Sequence, residues 1–550
     1  MGQAGEHGAH KAQKQHGEAQ RARIAELYNI HGGNIAAIAR DMCLSHSTVR
    51  GHIKKMGGIK KPIAAGSVKG TIEEPAKLPK KQDIKRYILT SAQNNTFVNE
   101  VFWKNVQAFA KHYDAQIMIG TFSYNQNSFS ELSVKRGKKN PNEKELWFDD
   151  AIRPYLCDSR VELGEGLVWC GEMNILPTAD DPLSGLETYT HRKSAIFPHA
   201  KLAMRSIPTM QGEGTKLNFT TGTVTLQNYI QKKAGLKAEH HHSYSFLLVE
   251  VNSEGNWWVR QVAASSKTCR FQDLDVVAEK GEITTGNTVE SITWGDLHAT
   301  ILDPVVERLS QEMLDFLKPK TQFLHDIMEG VSVNHHEAKN PHAKYAAYLR
   351  GLNSVSEEVK KTIEKVKAYD RSWCKTIVVD SNHDNWITRW LQEHDYRKDP
   401  ANAVFFLEAQ LATYKGLAHD LFVTEKQRSE EFHMLEWAMR KFGCPESIRF
   451  LRTDESYRIC NDKIECGQHG HLGPNGQRGT PQNLNRVGRR ANTAHTHSAG
   501  IYNGLYVAGT STKLRWNYAK GPSSWSHSHI VTYLNGMRTI ITMYAGKWRA

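Results

Sequence analysis

The chain has 550 residues, with 71 Lys and Arg against 58 Asp and Glu and a mean hydropathy of -0.56. That length suits two to four domains. No apolar run approaches the ~18 residues of a membrane span, and the first twenty residues lack the apolar core of a secretion signal, so a cytoplasmic protein without a membrane partner is expected. The net charge of +13 favours a polyanionic partner, nucleic acid first. Eight cysteines without a C-x-x-C pair read as reduced thiols rather than a zinc ribbon or a disulfide framework.

Residues 1–20 are polar and low in complexity and are expected to be a disordered tail. Residues 21–56 change character. Ile24, Leu27 and Tyr28 have helical spacing, Asn34 can cap a second helix carrying Ile35, Ile38 and Ala39, and Ser45 can cap a third carrying Val49 and Ile53. The stretch "ARDMCLSHSTVRGHI" resembles a helix-turn-helix module, with Cys43 where Gly is usual in the turn. In that resemblance Ser47, Thr48 and Arg50 are the residues offered to DNA; the plainer reading is a three-helix bundle for protein contact. Residues 57–83 carry Gly, Pro and Lys without periodicity and read as a linker. Residues 1–83 together hold 14 Lys and Arg against 7 Asp and Glu.

A folded region begins at residue 84. "KRYILTSAQ" reads as a buried strand, the following segment as a helix with Val98, Val101, Phe102, Val106 and Phe109 on one side, and "AQIMIGTFS" as a second strand, a β-α-β start. From about 160 to 290 the chain is strand-like and turn-rich, through "GLVWCGEMNI", "KLNFTTGTVTL", "YSFLLVEV" and "NWWVRQVAAS". His240, His241 and His242 invite a metal reading, but consecutive residues on a strand or loop point different ways, so they are read as surface. Residues 84–290 thus form an α/β and β-rich region without legible chemistry.

The chemistry lies in residues 291–550. "SITWGDLHAT" places Asp296 and His298 at i and i+2 after a short apolar stretch, where both can face one side. Asp326 follows Phe323 and Leu324. "TIVVDSNHDNWITRW" breaks an apolar run with Asn382, His383 and Asp384. "ECGQHGHLGPNG" brings His469 and His471, and "ANTAHTHSAG" brings His495 and His497. Each cluster alone has an ordinary alternative in a cap or a turn, and "WSHSHIV" at 525–531 shows that His-x-His recurs in this chain.

The order D-x-H, D, N-H-D, H-G-H, H-T-H closely resembles the calcineurin-like metallophosphoesterase superfamily, whose signature is D-x-H, G-D, G-N-H-[DE], H and G-H-x-H. The resemblance covers residues 291 to about 515. His325, Ser381 and Ala494 stand where that signature has Gly, which alters loops and removes no donor atom. The resemblance implies an α/β fold, a metallophosphoesterase-type β-sandwich flanked by helices. In this chain the sandwich would follow the 84–290 region and the small all-α N-terminal module. It also implies two divalent metal ions, one held by Asp296, His298 and His497, the other by Asn382, His469 and His495, with Asp326 between them. Carboxylate, imidazole and amide donors suit Mn²⁺ first, then Fe²⁺, Zn²⁺ or Mg²⁺. Such a pair, about 3.5–4 Å apart, clamps a phosphoryl group and activates water. His383 would act beside the metals and Asp384 would orient it, making these the catalytic residues. Glu329 falls where the family often has a second Asp and is read as a supporting residue; His471 is read as a substrate contact or a structural residue.

Fold does not select among phosphoesters. The basic charge, the helix-turn-helix-like arm and the missing membrane or secretion signal favour a DNA nuclease. A DNA-binding arm upstream of a two-metal domain resembles the early host-DNA-degradation proteins of large tailed bacteriophages, which implies DNA as partner and the host cytoplasm as location. The alternative is a nucleotide phosphodiesterase or protein phosphatase that the arm merely localises. Homo-oligomerisation is left open.

Overall fold

The computed structural model describes residues 20–28, 35–42, 44–55, 84–124, 147–334, 340–515 and 520–550. The expected tail, the linker, the Asn34 cap and the Cys43 turn lie outside the described residues. In the N-terminal region, helical residues 20–28 and the helices Ile35–Asp41 and His46–Lys55 close a small core of Ile24, Leu27, Ile38, Ala39 and Val49. Ser45 caps the last helix, its Oγ accepting from Thr48 N at 3.1 Å. Ser47, Thr48 and Arg50 are exposed on that helix.

The rest of the molecule is mixed α/β with several sheets. The β-α-β start is present as Ile84–Gln93, Glu100–Tyr113 and Gln116–Phe122, with Asn99 capping the helix by accepting from Phe102 N. Its two strands pair in parallel and join Ser245–Asn252 and Trp257–Ala263 in a four-stranded sheet. Phe102, Val106 and Phe109 are buried as the periodicity predicts, whereas Val101 is exposed and Val98 precedes the helix. The His240–His242 run lies at the end of a helix, Lys233–His241, rather than on a strand or loop. His242 is no surface residue: its ring is held between the Tyr229 hydroxyl and the Thr225 carbonyl, both at 2.8 Å.

A six-stranded sheet has the order Ile448–Phe450, Lys375–Val378, Thr321–Leu324, Ser291–Thr293, Ser528–Thr532, Arg538–Thr542. Its first four strands are parallel, joined by helical crossovers. The first crossover shows why the sequence folds this way. Asp303 caps Pro304–Leu317 through Val305 N and Val306 N, Pro304 fits the first turn, and Val306, Leu309, Met313, Leu314 and Leu317 form one buried face. That face and the other crossover helices cover one side of the sheet in the largest apolar core.

The opposite side faces a ten-stranded sheet. Phe323, Ile377 and Val379 pack on Ile459 and Ile464, while Ile530 and Ile540 pack in a core shared with Met204, Phe219, Ile501 and Tyr506. The ten-stranded sheet draws its strands from both halves of the chain: Gly500–Tyr502 pairs with Met204–Ile207, Gly500 opposite Arg205. Gln261 also receives hydrogen bonds from Thr539 Oγ1 and Ile540 N. Residue 290 therefore marks where the Asp and His clusters begin, while continuous sheet structure runs across it.

The two layers approach closely at Gly295. A Cβ there would lie 2.7 Å from Gly509 C and from Thr510 N, backbone atoms that cannot turn aside. Gly295→Ala is expected to destabilise the protein by about 1–3 kcal/mol, the usual range for overpacking. Gly51→Ala, in a helix with no atom within 4 Å of the added carbon, should be neutral or stabilising. Chemical denaturation of the two variants checks this; equal stabilities would contradict it.

Candidate metal centre

The parallel strands all end on the same edge, where open α/β sheets present their ligands. Ser291–Thr293 leads to Asp296 and His298, Thr321–Leu324 to Asp326, and Lys375–Val378 to Asn382, His383 and Asp384. The ten-stranded sheet delivers His469 after Ile464–Glu465, and His495 and His497 after Arg490–Thr493, two strands that are themselves parallel. Backbone bonds lock the exits together: His298 N donates to Asp326 O at 2.7 Å and Ala494 N to His469 O at 2.8 Å.

The seven proposed ligands converge. Asp326 Oδ1 accepts from His383 N at 3.1 Å, which turns Oδ2 inward, 3.2 Å from His469 Nε2 and 3.8 Å from His298 Nε2. Asp296 is held likewise: Oδ1 accepts from His495 N at 3.2 Å, and Oδ2 lies 2.8 Å from His497 Nε2. His298 Nε2 and His497 Nε2 are 3.3 Å apart, and Asn382 Oδ1 is 3.1 Å from His469 Nε2. Donors about 2.0–2.2 Å from one ion stand roughly 3–4 Å from each other, the spacing seen here. The donors group as Asp296, His298, Asp326 and His497, and as Asp326, His469 and His495, with Asp326 in both sets. His298, Asp326, His495 and His497 have φ of 42°, 42°, 71° and 57°. A non-glycine residue in that region costs on the order of 1 kcal/mol; four such residues around one point show a backbone bent to aim its side chains.

The electrostatics also call for cations. Asp296, Asp326 and Glu329 are buried together. Burial opposes ionisation of both aspartates, but the neighbouring histidines prevail, His469 foremost, and hold both carboxyls below their ordinary range. Burial likewise opposes charge on His298 and His469, yet the carboxylates outweigh it and push each ring up to about 9, through Glu329 for His298 and through Asp326 for His469. Without metal, protons on these rings do the neutralising. Divalent ions fit the same place, because each of these rings turns one nitrogen toward a carboxylate or amide oxygen of the cluster.

Sequence reasoning left several supporting residues unassigned or unplaced. Glu329 Oε2 lies 2.7 Å from His298 Nδ1, which leaves Nε2 for the cluster. The His325 ring stacks on His469 with the two Nδ1 atoms 3.3 Å apart, so the residue that stands for a signature Gly supports a proposed ligand. His383 Nδ1 donates to the Glu329 carbonyl oxygen at 2.9 Å, and its ring stacks on Trp386 at 4.1 Å. The orienting contact expected from Asp384 therefore comes from Glu329. Asp384 Oδ1 accepts from Met328 N instead, because adjacent residues of this turn point apart, and burial raises its carboxyl to about 7. His471 packs on His469 and His495. The other His-x-His is structural at His529, whose Nδ1 accepts from Gly295 N at 2.9 Å. Ser47, Thr48 and Arg50 belong to none of the metal-binding groups found among the described residues.

The two raised histidines set a pH signature. In the metal-free protein their stabilising contribution is complete below the ordinary histidine value of about 6.5 and is lost as pH rises through about 9. Metal uptake at pH 7 must displace protons from both rings. Calorimetric titration of metal-free protein with Mn²⁺ in buffers of different ionisation enthalpy should show about two protons released per protein, and affinity that rises with pH up to about 9. Uptake without proton release would contradict the arrangement. Asp326→Asn should lower metal content more than His471→Ala, read by elemental analysis.

No family model matches this chain, and no solved structure matches it. Among the described residues, no helix is long and apolar enough to cross a membrane. Protein A1 of Escherichia phage T5 is 36% identical to it over 505 residues, covering 89% of this chain and 86% of that protein. The alignment is long enough to take in the N-terminal half as well as the metal centre, in keeping with the sheet that joins them. The chain thus belongs to the family of the phage T5 Protein A1.

Proposed function

We propose that this protein is a phage-encoded, metal-dependent phosphodiesterase that cleaves DNA, acting on host DNA in the host cytoplasm. The observation that carries the reading is Asp326 Oδ2, which faces both histidine sets and so can serve two ions at once. Asp296, His298 and His497 would hold one and Asn382, His469 and His495 the other, with Mn²⁺ the best match to the donors. Bound there, two divalent ions would neutralise a phosphoryl group and make water nucleophilic at neutral pH.

The chain's own residues supply the rest. Donation of Nδ1–H to Glu329 fixes the His383 tautomer and leaves Nε2 for the substrate. Burial keeps the ring below the ordinary histidine range, with Asp326 acting in the opposite direction. An approaching phosphodiester anion would favour the charged ring, which can then steady the developing charge or protonate the leaving oxygen. Trp386 prevents the ring from swinging away. The basic N-terminal arm, with Ser47, Thr48 and Arg50 exposed, is suited to add phosphate contacts and no catalytic group.

Purified protein should cut plasmid DNA with Mn²⁺ and fail with EDTA. His383→Ala should retain metal and DNA yet lose about 10²–10⁴-fold in rate, the usual contribution of an acid–base group; an unchanged rate would make His383 a turn residue only. Deletion of residues 1–83 should weaken DNA binding and reduce its salt dependence by about 0.9 log units per lost phosphate contact, while hydrolysis of bis-p-nitrophenyl phosphate survives. Hydrolysis of nucleotides or phosphoproteins with intact DNA would favour the alternative phosphoesterase reading.

A further inference from the structure

The helix Ala403–Asp420 lies in the crossover between the Lys375–Val378 and Ile448–Phe450 strands and is apolar on both faces. Its inner face buries Phe405, Phe406, Ala409 and Gly416; the ring of Phe432 sits where a Gly416 side chain would begin, 2.2 Å from an added Cβ. Its outer face exposes Val404, Leu407, Leu411 and Tyr414, and the row continues into Leu421 and Phe422 just beyond the helix. The exposures decide the matter: 74% for Val404, 70% for Tyr414, 82% for Leu421 and 85% for Phe422. Its polar residues, among them Glu408 and Lys415, flank this outer row, and an apolar helix face belongs against another surface.

The spacing of the outer row identifies what can cover it. Positions 404, 407, 411, 414, 418 and 421 alternate steps of three and four, the seam of a helix that packs along another helix, and Ala418 fills the one small place. No charged residue interrupts the row. Its area is on the order of 800 Å², taking somewhat under 200 Å² for each large side chain. That exceeds the ~300–600 Å² of the largest patch on a typical monomer and equals the ~800 Å² that each partner buries in a standard interface. The two longest stretches outside the described residues, 56–83 and 125–146, are rich in Lys, Gly, Pro and Asn and contain no apolar row of this length: Met56, Ile59 and Ile63 share the spacing, and Gly66 and Gly70 end it. A second copy of the helix supplies such a row, and a two-fold axis joins like to like.

We propose that the outer face of Ala403–Asp420 is a self-association surface on which a second copy of this chain packs helix against helix. The inference is independent of what the metal centre hydrolyses. The contact lies on a crossover of the sheet that carries the proposed ligands, so the two centres of a dimer would be held in one rigid body.

The test uses two double variants of the full-length protein, Leu411→Glu with Tyr414→Glu and Leu411→Lys with Tyr414→Lys. Both residues are exposed, so neither variant should alter circular dichroism or metal content. Sedimentation velocity should show the unaltered protein as a dimer or a multiple of one, each variant alone dissociated at this contact, and the mixture of acidic and basic variants re-associated. The mixture works whether the helices run parallel or antiparallel, because the substituted positions lie near the middle of the row. An unaltered protein that stays monomeric through the micromolar range overturns the proposal. So does an oligomer that both variants leave intact, or a pair of dissociated variants that fail to recombine.

Discussion

The arrangement depends on one buried carboxylate. Asp326 has one oxygen fixed by a backbone amide and the other placed between histidines from two different sheets. An ionised carboxylate buried without partners would cost several kcal/mol. The partners that compensate it, His298, His383 and His469, come from the exits of the Ser291–Thr293, Lys375–Val378 and Ile464–Glu465 strands, and those strands reach it only if the six-stranded and ten-stranded sheets are packed face to face. Core packing and the charge cluster therefore require each other. The left-handed backbone at Asp326 and at three of its neighbours is tolerated because the cluster and its hydrogen bonds hold it in place.

The supporting contacts extend this logic outward. Glu329 acts on His298 through its carboxylate and on His383 through its carbonyl oxygen, so one residue orients both a proposed ligand and the proposed catalytic histidine. His529 accepts from Gly295 N and touches Trp294, fixing the turn that leads into Asp296. Such residues carry no chemistry of their own. They decide which nitrogen of a ring carries its proton, and that determines whether the opposite nitrogen can bind a cation.

The candidate site was legible in the sequence because its residues follow short apolar runs and occur in a distinctive order. Asp296, His298, Asp326, Asn382, His469, His495 and His497 come together as that order implied. Of the supporting set only Glu329 was legible, and its contacts were not. His325 registered only as a replaced glycine, and Asp384 was given a contact that Glu329 makes, since the pairing depends on where a turn points. His495-Thr496-His497 and His527-Ser528-His529 share one spacing and differ in surroundings. The β-α-β start at 84–122 was readable from periodicity, but the sheet that crosses residue 290 was not: strands of two to five residues such as Ile464–Glu465 and Met204–Ile207 show no sign of their partners. The exposed row on Ala403–Asp420 is hidden for another reason: a helix with two apolar faces does not show in its sequence which face packs inward.

Asp326 Oδ2 faces two proposed cation positions, each drawing ligands from both sheets. Anomalous diffraction at the manganese edge from crystals grown with Mn²⁺ tests it directly. Two peaks are expected on either side of Asp326 Oδ2, one among Asp296, His298 and His497 and one among Asn382, His469 and His495. A single peak away from Asp326, or no ordered metal at saturating Mn²⁺, would contradict it.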